Sequence, residues 1–202
     1  MKLLHTERLT LRPWREDDAP TLFALGSEPS IGLNAGWSPI RDIENARDVI
    51  ESVLSNDFTY AMTLRESDEL VGCIALKPVA ESVLSLVHKG QIAGLETDEL
   101  DNLDQTREIG YWLGVPYQGR GLMQEAAEAI LRYAFEGLSA PGVWALHEAS
   151  NRKSERVMEK LGMDGVGMLS HVHMSLLPGE VFWDEHVHFI GRSRWMKNNR
   201  IS

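Results

Sequence analysis

Two glycines and a cation stand where a strand-like pattern gives way to a helix-like one. The segment Gln118-Gly119-Arg120-Gly121 follows an apolar run typical of a β-strand and precedes residues with helical spacing. A helix N-terminus presents unpaired backbone N–H groups and the positive end of the helix dipole. Glycine lets the backbone adopt positive φ and approach a bulky anion closely. We therefore predict that the backbone of residues 118–123 forms a cradle for phosphate groups.

Spacing excludes two common phosphate-binding motifs at this junction. The segment lacks the GxxxxGK of a P-loop, and Gly119 and Gly121 are not followed by the third glycine of a dinucleotide-binding fingerprint, because residue 124 is Gln. A plain tight turn between a strand and a helix is the alternative explanation for the two glycines.

A second polar segment follows the predicted helix. Asn151 precedes residues with helical spacing, Ser154 lies in the first turn, and Gly162 is placed to end the helix. An asparagine at this position is typical of a helix N-cap, and a serine in the first turn can bond to its own helix. Taken alone, neither residue requires a functional explanation.

Taken together, the segments EIGYWLGVPYQGRGLMQEA and ASNRKSERVMEKLGM resemble the GNAT superfamily of acetyl-CoA-dependent N-acetyltransferases. The opening TERLTLRPWREDDAPTLF is similar to the start of the RimJ/RimL branch, which acetylates α-amino groups of ribosomal proteins. The family motif Q/R-x-x-G-x-G/A is matched from Gln118 to Met123, with Met123 in place of the final small residue. The RimJ/RimL branch resembles this sequence at that position too.

The resemblance implies that acetyl-CoA is the cosubstrate and that no metal takes part. Asn151 would contact the pantetheine, and Ser154 would lie near the sulfur. A short strand segment would pair with the pantetheine arm as if with an extra strand: Leu113, Gly114 and Val115. The backbone of the cradle would take the pyrophosphate: Gln118, Gly119, Arg120, Gly121, Leu122 and Met123.

The reaction needs a neutral amine, donors for the oxyanion and a leaving thiolate. Glu108, at the start of the predicted strand 107–115, is the candidate base, directly or through a water; a surface ion pair is its alternative role. Ser154 is the candidate acid or hydrogen-bond donor to the thiolate, with Tyr111 as runner-up. Strand alternation puts Glu108 on one face and the expected core on the other. The expected core residues are Ile109, Tyr111, Leu113 and Val115.

Histidines at two-residue spacing lie near the C-terminus: His171, His173, His186 and His188. Each pair projects from one face of a strand, which would allow a metal site. Because neither cysteine nor carboxylate spacing accompanies them, we expect ordinary strand polarity or site lining instead. Cys73 is expected to be buried and inert.

The stretch from Glu96 to Asp104 contains five acids in nine residues. Such a stretch is typical of a solvated surface loop. Alternatively, it is an acidic rim beside the acceptor site that draws in a cationic amine.

Composition and patterning predict one α/β (α+β) domain over residues 1–202. The 43% hydrophobic content is ordinary, the net charge of -10 argues against nucleic acid as a partner, and a lone cysteine fits a reducing cytoplasm. No apolar run is long enough for a membrane span, and the N-terminus lacks a signal peptide's core.

Strands are predicted at 8–13, 58–64, 70–76, 107–115, 143–147, 163–169 and 181–190. Helices are predicted at 15–26, from 42 onward, at 119–136 and at 151–161, with 28–40 as loop and 80–105 irregular.

The resemblance sharpens this expectation to a GNAT-type fold. It implies a mixed, mostly antiparallel, twisted sheet of six to seven strands, which is splayed between its central strands. About four helices accompany the sheet. The expected reaction is acetyl transfer from acetyl-CoA to a primary amine by direct attack in a ternary complex. Three alternatives stay open: a protein N-terminal α-amino group as acceptor, a small-molecule amine, or a non-catalytic acyl-CoA-binding module. Monomer and homodimer also stay open.

Overall fold

The structure is a computed structural model that describes residues 1–92, 94–96, 99 and 101–199. The chain divides into two compact units. The first comprises Met1–Ala75, Tyr111–Ala129 and His173–Val181, and the second comprises Leu76–Gly110, Ile130–Val172 and Phe182–Ser202. The single domain expected from the sequence stays a prediction.

The described residues contain eight strands and seven α-helices, more than the six to seven strands and about four helices expected. The strands are β1 Leu4–His5, β2 Leu9–Arg12, β3 Thr59–Leu64, β4 Leu70–Pro78, β5 Arg107–Leu113, β6 Gly142–Glu148, β7 Asp164–His173 and β8 Phe182–Gly191. The helices are α1 Ala19–Gly26, α2 Pro29–Ala35, α3 Ile43–Val49, α4 Glu81–His88, α5 Leu122–Arg132, α6 Arg152–Lys160 and α7 Arg192–Asn198. None of these helices has the length and apolar character needed to cross a bilayer.

The first unit is built on strands in the order β1-β2-β3-β4-β5. The pairs from β1 to β4 are antiparallel, and the end of β5 joins β4 through the Gly114 N–H, which donates to the Val71 carbonyl at 2.9 Å. Gly72 permits this close approach, since a Cβ there would lie 2.5 Å from the Trp112 carbonyl oxygen. Helices α1 and α3 cover this sheet with a core that includes Leu22 and Ala46.

The second unit has the order β5-β6-β8-β7. Strands β5 and β6 are parallel through three residue pairs, from Arg107↔Val143 to Ile109↔Ala145, although β6 runs on to Glu148. Strands β6 and β8 are antiparallel over seven pairs. One face of these strands packs Trp144, Val187 and Phe189 against α4. The pairing confirms the predicted mixed, mostly antiparallel α/β class.

Several helices lie where none was predicted. Residues 28–40, expected to be loop, contain α2, because Pro29 occupies the first turn and Gly36 ends the helix with φ 78°. The Glu28 side chain caps it by accepting from the Ser30 N–H at 3.3 Å. The region 80–105 contains α4, and α7 follows β8.

Candidate active site

The glycine turn lies between β5 and α5, in the first unit. Strand β5 ends at Leu113, a 3₁₀ turn covers Val115–Tyr117, and α5 begins at Leu122. Gly119 and Gly121 have φ of 74° and 77°, which confirms the predicted left-handed backbone. The strand is thus two residues shorter than predicted, and the helix begins three residues later.

The shorter strand corrects one expectation about its faces. Val115 was expected in the core, but its side chain is 48% exposed, and Tyr111 and Leu113 are only partly buried. Val115 is the first residue of the 3₁₀ turn and Pro116 follows it there, so strand alternation does not reach Val115. Ile109, the remaining member of that face, is buried as expected.

Side-chain and packing contacts hold the chain between the strand and the turn. The Gln118 Nε2 donates to the Leu113 carbonyl at 2.9 Å, which ties the two predicted cosubstrate segments together. Gly114 is buried, and a Cβ there would lie 2.9 Å from Cδ2 of Leu25 on α1. Packing against Leu25 therefore requires glycine at position 114, independently of any contact with a cosubstrate.

Arg8 is a second cation beside the turn. Its Nη1 donates to the Arg120 carbonyl at 2.9 Å, and a Cβ built on Gly121 would lie 3.5 Å from its Nη2. Sequence reasoning missed Arg8, because more than a hundred residues separate it from the turn and no local pattern connects them. Nothing in the residues around Arg8 indicates that its side chain lies beside the glycine turn.

Glu125, in the first turn of α5, positions the Arg8 guanidinium. Its Oε2 accepts from the Arg8 Nε at 2.6 Å, while its Oε1 accepts from the Arg8 backbone N–H at 2.8 Å and from the Thr6 hydroxyl at 2.5 Å. Partial burial raises the pKa of Glu125, but these donors outweigh it and the pKa is lowered. The carboxylate therefore stays ionised and keeps Arg8 in place.

The turn and its surroundings fit a phosphate-bearing group. A Cβ at Gly119 would meet no atom of the described part of the chain within 4 Å, so the backbone there is open. Arg120 is exposed, whereas the side chains of Leu122 and Met123 are buried, so these two residues offer only their backbone N–H groups. Met123, the departure from the family motif, thus points its side chain into the core and leaves the cradle unobstructed.

Glu108, the predicted base, lies in the second unit on β5. It is 6% exposed, and both of its oxygens have partners: Lys77 Nζ lies 2.8 Å from Oε1, and the Ala80 N–H donates to Oε2 at 3.0 Å. The sequence alternative was an ion pair with Arg107 or a neighbouring strand; the partner is Lys77 at the end of β4. Although Glu108 is buried, its negative charge is paired with the positive charge of the half-exposed Lys77.

Glu185 on β8 was not predicted to have a role. Burial raises its pKa, the negative charge of Glu108 raises it further, and Lys77 lowers it. The charges of Glu108 and of its partner Lys77 therefore both act on Glu185. The alternation Glu185, Val187, Phe189 on β8 was the signal that could have placed Glu185 on the same face as Trp144.

Asn151 and Ser154 are joined at the start of α6, also in the second unit. The Asn151 Oδ1 accepts from the Ser154 backbone N–H at 3.2 Å, so Asn151 caps the helix as its residue type indicated. Ser154 is partly buried in the first turn. The structural explanation of Asn151 is thus confirmed, and a ligand contact would come in addition to it.

The histidines are grouped differently from the sequence prediction. His186 and His188 on β8 lie against His147 on β6, and the three offer ring nitrogens within 4.8 Å of one another. His171 stacks on Phe182 with ring centroids 4.1 Å apart, and His173 is exposed. Burial, followed by the neighbouring His147 and His186, lowers the pKa of His188 to about 4.

The acidic stretch is not uniformly solvated. Glu99 is 4% exposed, its Oε2 accepts from the Glu96 N–H at 2.7 Å, and its Oε1 packs directly against Gly191. Glu96, Asp101 and Asp104 are exposed, and Asp98 lies outside the described residues. Glu99 therefore belongs neither to a surface loop nor to an acidic rim, because it packs into the second unit.

Cys73 is buried as predicted. Burial raises the pKa of its thiol to about 12, and the neighbouring Trp14 only partly opposes this. A thiolate nucleophile is therefore excluded at this position near neutral pH.

Comparisons with known proteins identify the class to which this fold and turn belong. Residues 8–164 match the model of the acetyltransferase (GNAT) domain family, which is most of the chain. The chain therefore belongs to the GNAT acetyltransferase family and is an acyltransferase of the N-acetyltransferase type.

Individual relatives agree with this assignment. The "Uncharacterized N-acetyltransferase p20" of Bacillus licheniformis is 27% identical over 176 residues, 84% of this chain and 86% of that protein. The "Putative ribosomal N-acetyltransferase YdaF" of Bacillus subtilis (strain 168) is 32% identical over 78 residues, 38% of this chain and 43% of that protein. A GNAT-family acetyltransferase structure from Bacillus anthracis covers 95% of this chain and 99% of its own, with a TM-score of 0.75 at 22% identity, which shows the shared fold.

Proposed function

We propose that this chain transfers the acetyl group of acetyl-CoA to the α-amino group of a protein N-terminus, as in the RimJ/RimL branch. The observation that carries the cosubstrate assignment is the glycine turn at the start of α5. Gly119 and Gly121 adopt positive φ there, and Arg8 and Arg120 supply two cations beside open backbone. In a member of the GNAT family, this is a cradle for the pyrophosphate of acetyl-CoA.

The remaining cosubstrate contacts follow the family resemblance. Leu113 and Val115 would offer backbone groups to the pantetheine arm, while the Gly114 N–H is already bonded to Val71. The Asn151 side chain would contact the pantetheine, and the Ser154 hydroxyl would lie near the sulfur. Of these, Val115 carries the weakest support, because it lies in a 3₁₀ turn and not on the strand.

The reaction is a direct transfer without an acyl-enzyme. The amine lone pair attacks the thioester carbonyl, the C–S bond breaks, and the amine proton passes to a carboxylate, directly or through a water. Glu108 is the proposed base, and its environment includes the positive charge of Lys77 and the carboxyl group of Glu185, whose pKa is raised by burial and by the charge of Glu108. Ser154 donates a hydrogen bond to the departing thiolate.

The choice of a protein N-terminus rests on chemistry and on one relative. An α-amino group has a pKa of about 7.7–8.0 against about 10.4 for lysine, so far more of it is neutral and nucleophilic near pH 7. The partial match to the ribosomal-type relative points to the same acceptor class. The lone, buried Cys73 supports a reducing cytoplasm as the location. As part of this proposal, both units act as one domain, because the family match runs through residues of each.

A thiol-release assay with a panel of amines tests the proposal. Peptides with free N-termini, the same peptides with acetylated N-termini, polyamines and amino sugars are each incubated with acetyl-CoA. We expect the highest kcat/KM with free N-terminal peptides and background release with their acetylated counterparts. Higher kcat/KM with polyamines or amino sugars would instead establish a small-molecule acetyltransferase, and background release with every amine would overturn the transfer itself.

A further inference from the structure

Three imidazoles converge on one face of the second unit. His147 on β6 is the direct antiparallel partner of His186 on β8, and His188 lies two residues further along the same strand. Alternation along a strand places His186 and His188 on the same face. The Nε2 atoms of His147 and His188 are 3.1 Å apart, and all three rings offer a nitrogen within a 4.8 Å span.

The hydrogen bonds of His147 prepare its other nitrogen for a ligand. Its Nδ1 lies 2.8 Å from the Glu148 carbonyl oxygen, and a carbonyl only accepts, so Nδ1 carries the proton. The Nε2 that faces His188 is then the unprotonated atom of a neutral ring. A backbone carbonyl that orients an imidazole through its other nitrogen is the usual support of a metal-binding histidine.

His188 is not fully accounted for by contacts within the protein. The residue is 6% exposed, and its Nδ1 is buried without a hydrogen-bond partner among the residues that the structure describes. Buried polar atoms are ordinarily paired, and one that is not requires an explanation such as strain, a water or an ion. Whichever ring nitrogen of His188 binds the ligand, this imidazole has capacity that the described residues do not use.

We propose that His147, His186 and His188 form a binding site for a divalent transition metal of the Zn²⁺ type. Imidazole nitrogens suit Zn²⁺, Ni²⁺ and Cu²⁺ better than Mg²⁺ or Ca²⁺, which prefer oxygen. Two nitrogens at tetrahedral Zn²⁺ distances are about 3.3 Å apart, close to the separation of the facing Nε2 atoms. This proposal departs from the sequence expectation of ordinary strand polarity or site lining, which considered the histidines without His147.

The surroundings of the three rings favour a cation and give it a route to solvent. The Glu155 carboxylate on α6 is near enough for its charge to act on all three imidazoles, and its side chain is 20% exposed. His186 is partly buried, unlike the other two rings, so an ion can reach the site on its side. Three nitrogens leave a fourth position for water or for Glu155, whose Oε2 also binds Arg152 at 2.6 Å.

Zinc titration of the full chain by calorimetry, after removal of metals with a chelator, tests the site. We expect one Zn²⁺ per chain for the wild type and at least a tenfold weaker affinity for His186→Ala. His88→Ala, which removes an exposed histidine at the end of α4, is the matched control and should bind as the wild type does. Circular dichroism confirms that each variant is folded. The readout does not involve acetyl transfer, so it is independent of the proposed function.

A measurement on the unmodified chain keeps the test valid if a variant misfolds. Co²⁺ bound in place of Zn²⁺ should give the intense visible bands of a low-coordinate site, without a thiolate charge-transfer band. Absence of Zn²⁺ binding, equal affinity in His186→Ala, or a Co²⁺ spectrum of an ordinary six-coordinate surface ion would each overturn the site. The three imidazoles would then be a hydrogen-bonded cluster only.

Discussion

The glycine turn, residues 118–121, and the Glu108 site, formed by Glu108, Lys77 and Glu185, are built in opposite ways. The turn is contiguous in the chain, and its chemistry comes from backbone N–H groups that any sequence with the right φ angles would present. The Glu108 site gathers side chains from β4, β5 and β8, and its chemistry depends on residue type and on the charges of neighbouring side chains.

This difference predicts a division of labour. A backbone cradle recognises charge and shape in the ground state, so damage to it should weaken acetyl-CoA binding. Carboxylates that accept a proton act mainly in the transition state, so damage to them should lower kcat and leave binding intact. Each of the following predictions tests one side of this comparison.

Replacement of Glu108 by Gln should have the largest effect. We expect kcat to fall by about 10²–10⁴-fold, the usual contribution of a general base, with acetyl-CoA affinity within about twofold of wild type. Lys77 would lose its ion-pair partner but is half-exposed, so water can solvate its charge. Steady-state kinetics and calorimetry measure the two quantities. Glu81→Gln, in the exposed first turn of α4, is the control, and a kcat within threefold of wild type in Glu108→Gln would exclude Glu108 as the base.

Replacement of Gly121 by Val should come next. We expect the Kd for acetyl-CoA to rise at least about 100-fold, because a branched side chain would occupy the approach of the phosphates to the backbone. Positive φ also strains any L-residue by about 1–2 kcal/mol. Gly179→Val controls for that strain, since Gly179 has φ 85° and open space around it. If a folded Gly121→Val protein bound acetyl-CoA with wild-type affinity, the glycine turn would connect β5 to α5 without binding the phosphates.

Replacement of Ser154 by Ala should lower kcat by about 10–100-fold without changing acetyl-CoA affinity. The hydroxyl would help the thiolate leave, and a thiolate with a pKa near 8.5 needs only modest help. Ser150→Ala, which removes an exposed hydroxyl just before α6, provides the comparison. If kcat fell by less than about threefold, the Ser154 hydroxyl would only bond to its own helix and would have no part in the reaction.

Replacement of Arg8 by Ala should weaken acetyl-CoA binding by about tenfold at low salt and by less at high salt, as expected of a partly exposed cation. Arg8→Lys should recover part of the loss, because it keeps the charge but not the fork that binds both Glu125 and the Arg120 carbonyl. Calorimetry at two ionic strengths measures both. A salt-independent loss in Arg8→Ala would mean that Arg8 only maintains the fold of the turn.

Replacement of Glu185 by Gln should give the smallest effect, and one that depends on pH. A carboxyl with a raised folded pKa costs no stability below its unfolded pKa; the destabilisation develops as the pH rises from the unfolded to the folded pKa and is complete above it. Glu185→Gln should therefore match the wild-type Tm in acid and exceed it by a few degrees at neutral pH. Exposed Glu180→Gln serves as the control. A Tm difference that is constant with pH would contradict an interaction between Glu185 and Glu108.

Prediction from sequence succeeded where a pattern is local. The alternation in 58–64 and 70–76 identified β3 and β4, and Asn151 with Gly162 bounded α6. It failed at α2, because Pro29 and Gly36 were treated as loop residues when they begin and end a helix. On α3 the apolar spacing continues to Val53, yet Val53 is exposed, because a π turn at Ile50–Leu54 breaks the helical period.

By itself, the sequence determined the family resemblance, the mixed α/β class and the glycine turn, because each depends on residues close together in the chain or on backbone conformation. Only the tertiary structure decided that Arg8 stands beside Gly121, that Lys77 pairs with Glu108, that Glu99 is buried and that His147 joins His186 and His188. These contacts join residues from different elements. Their distances follow from strand order and register, which no local pattern specifies.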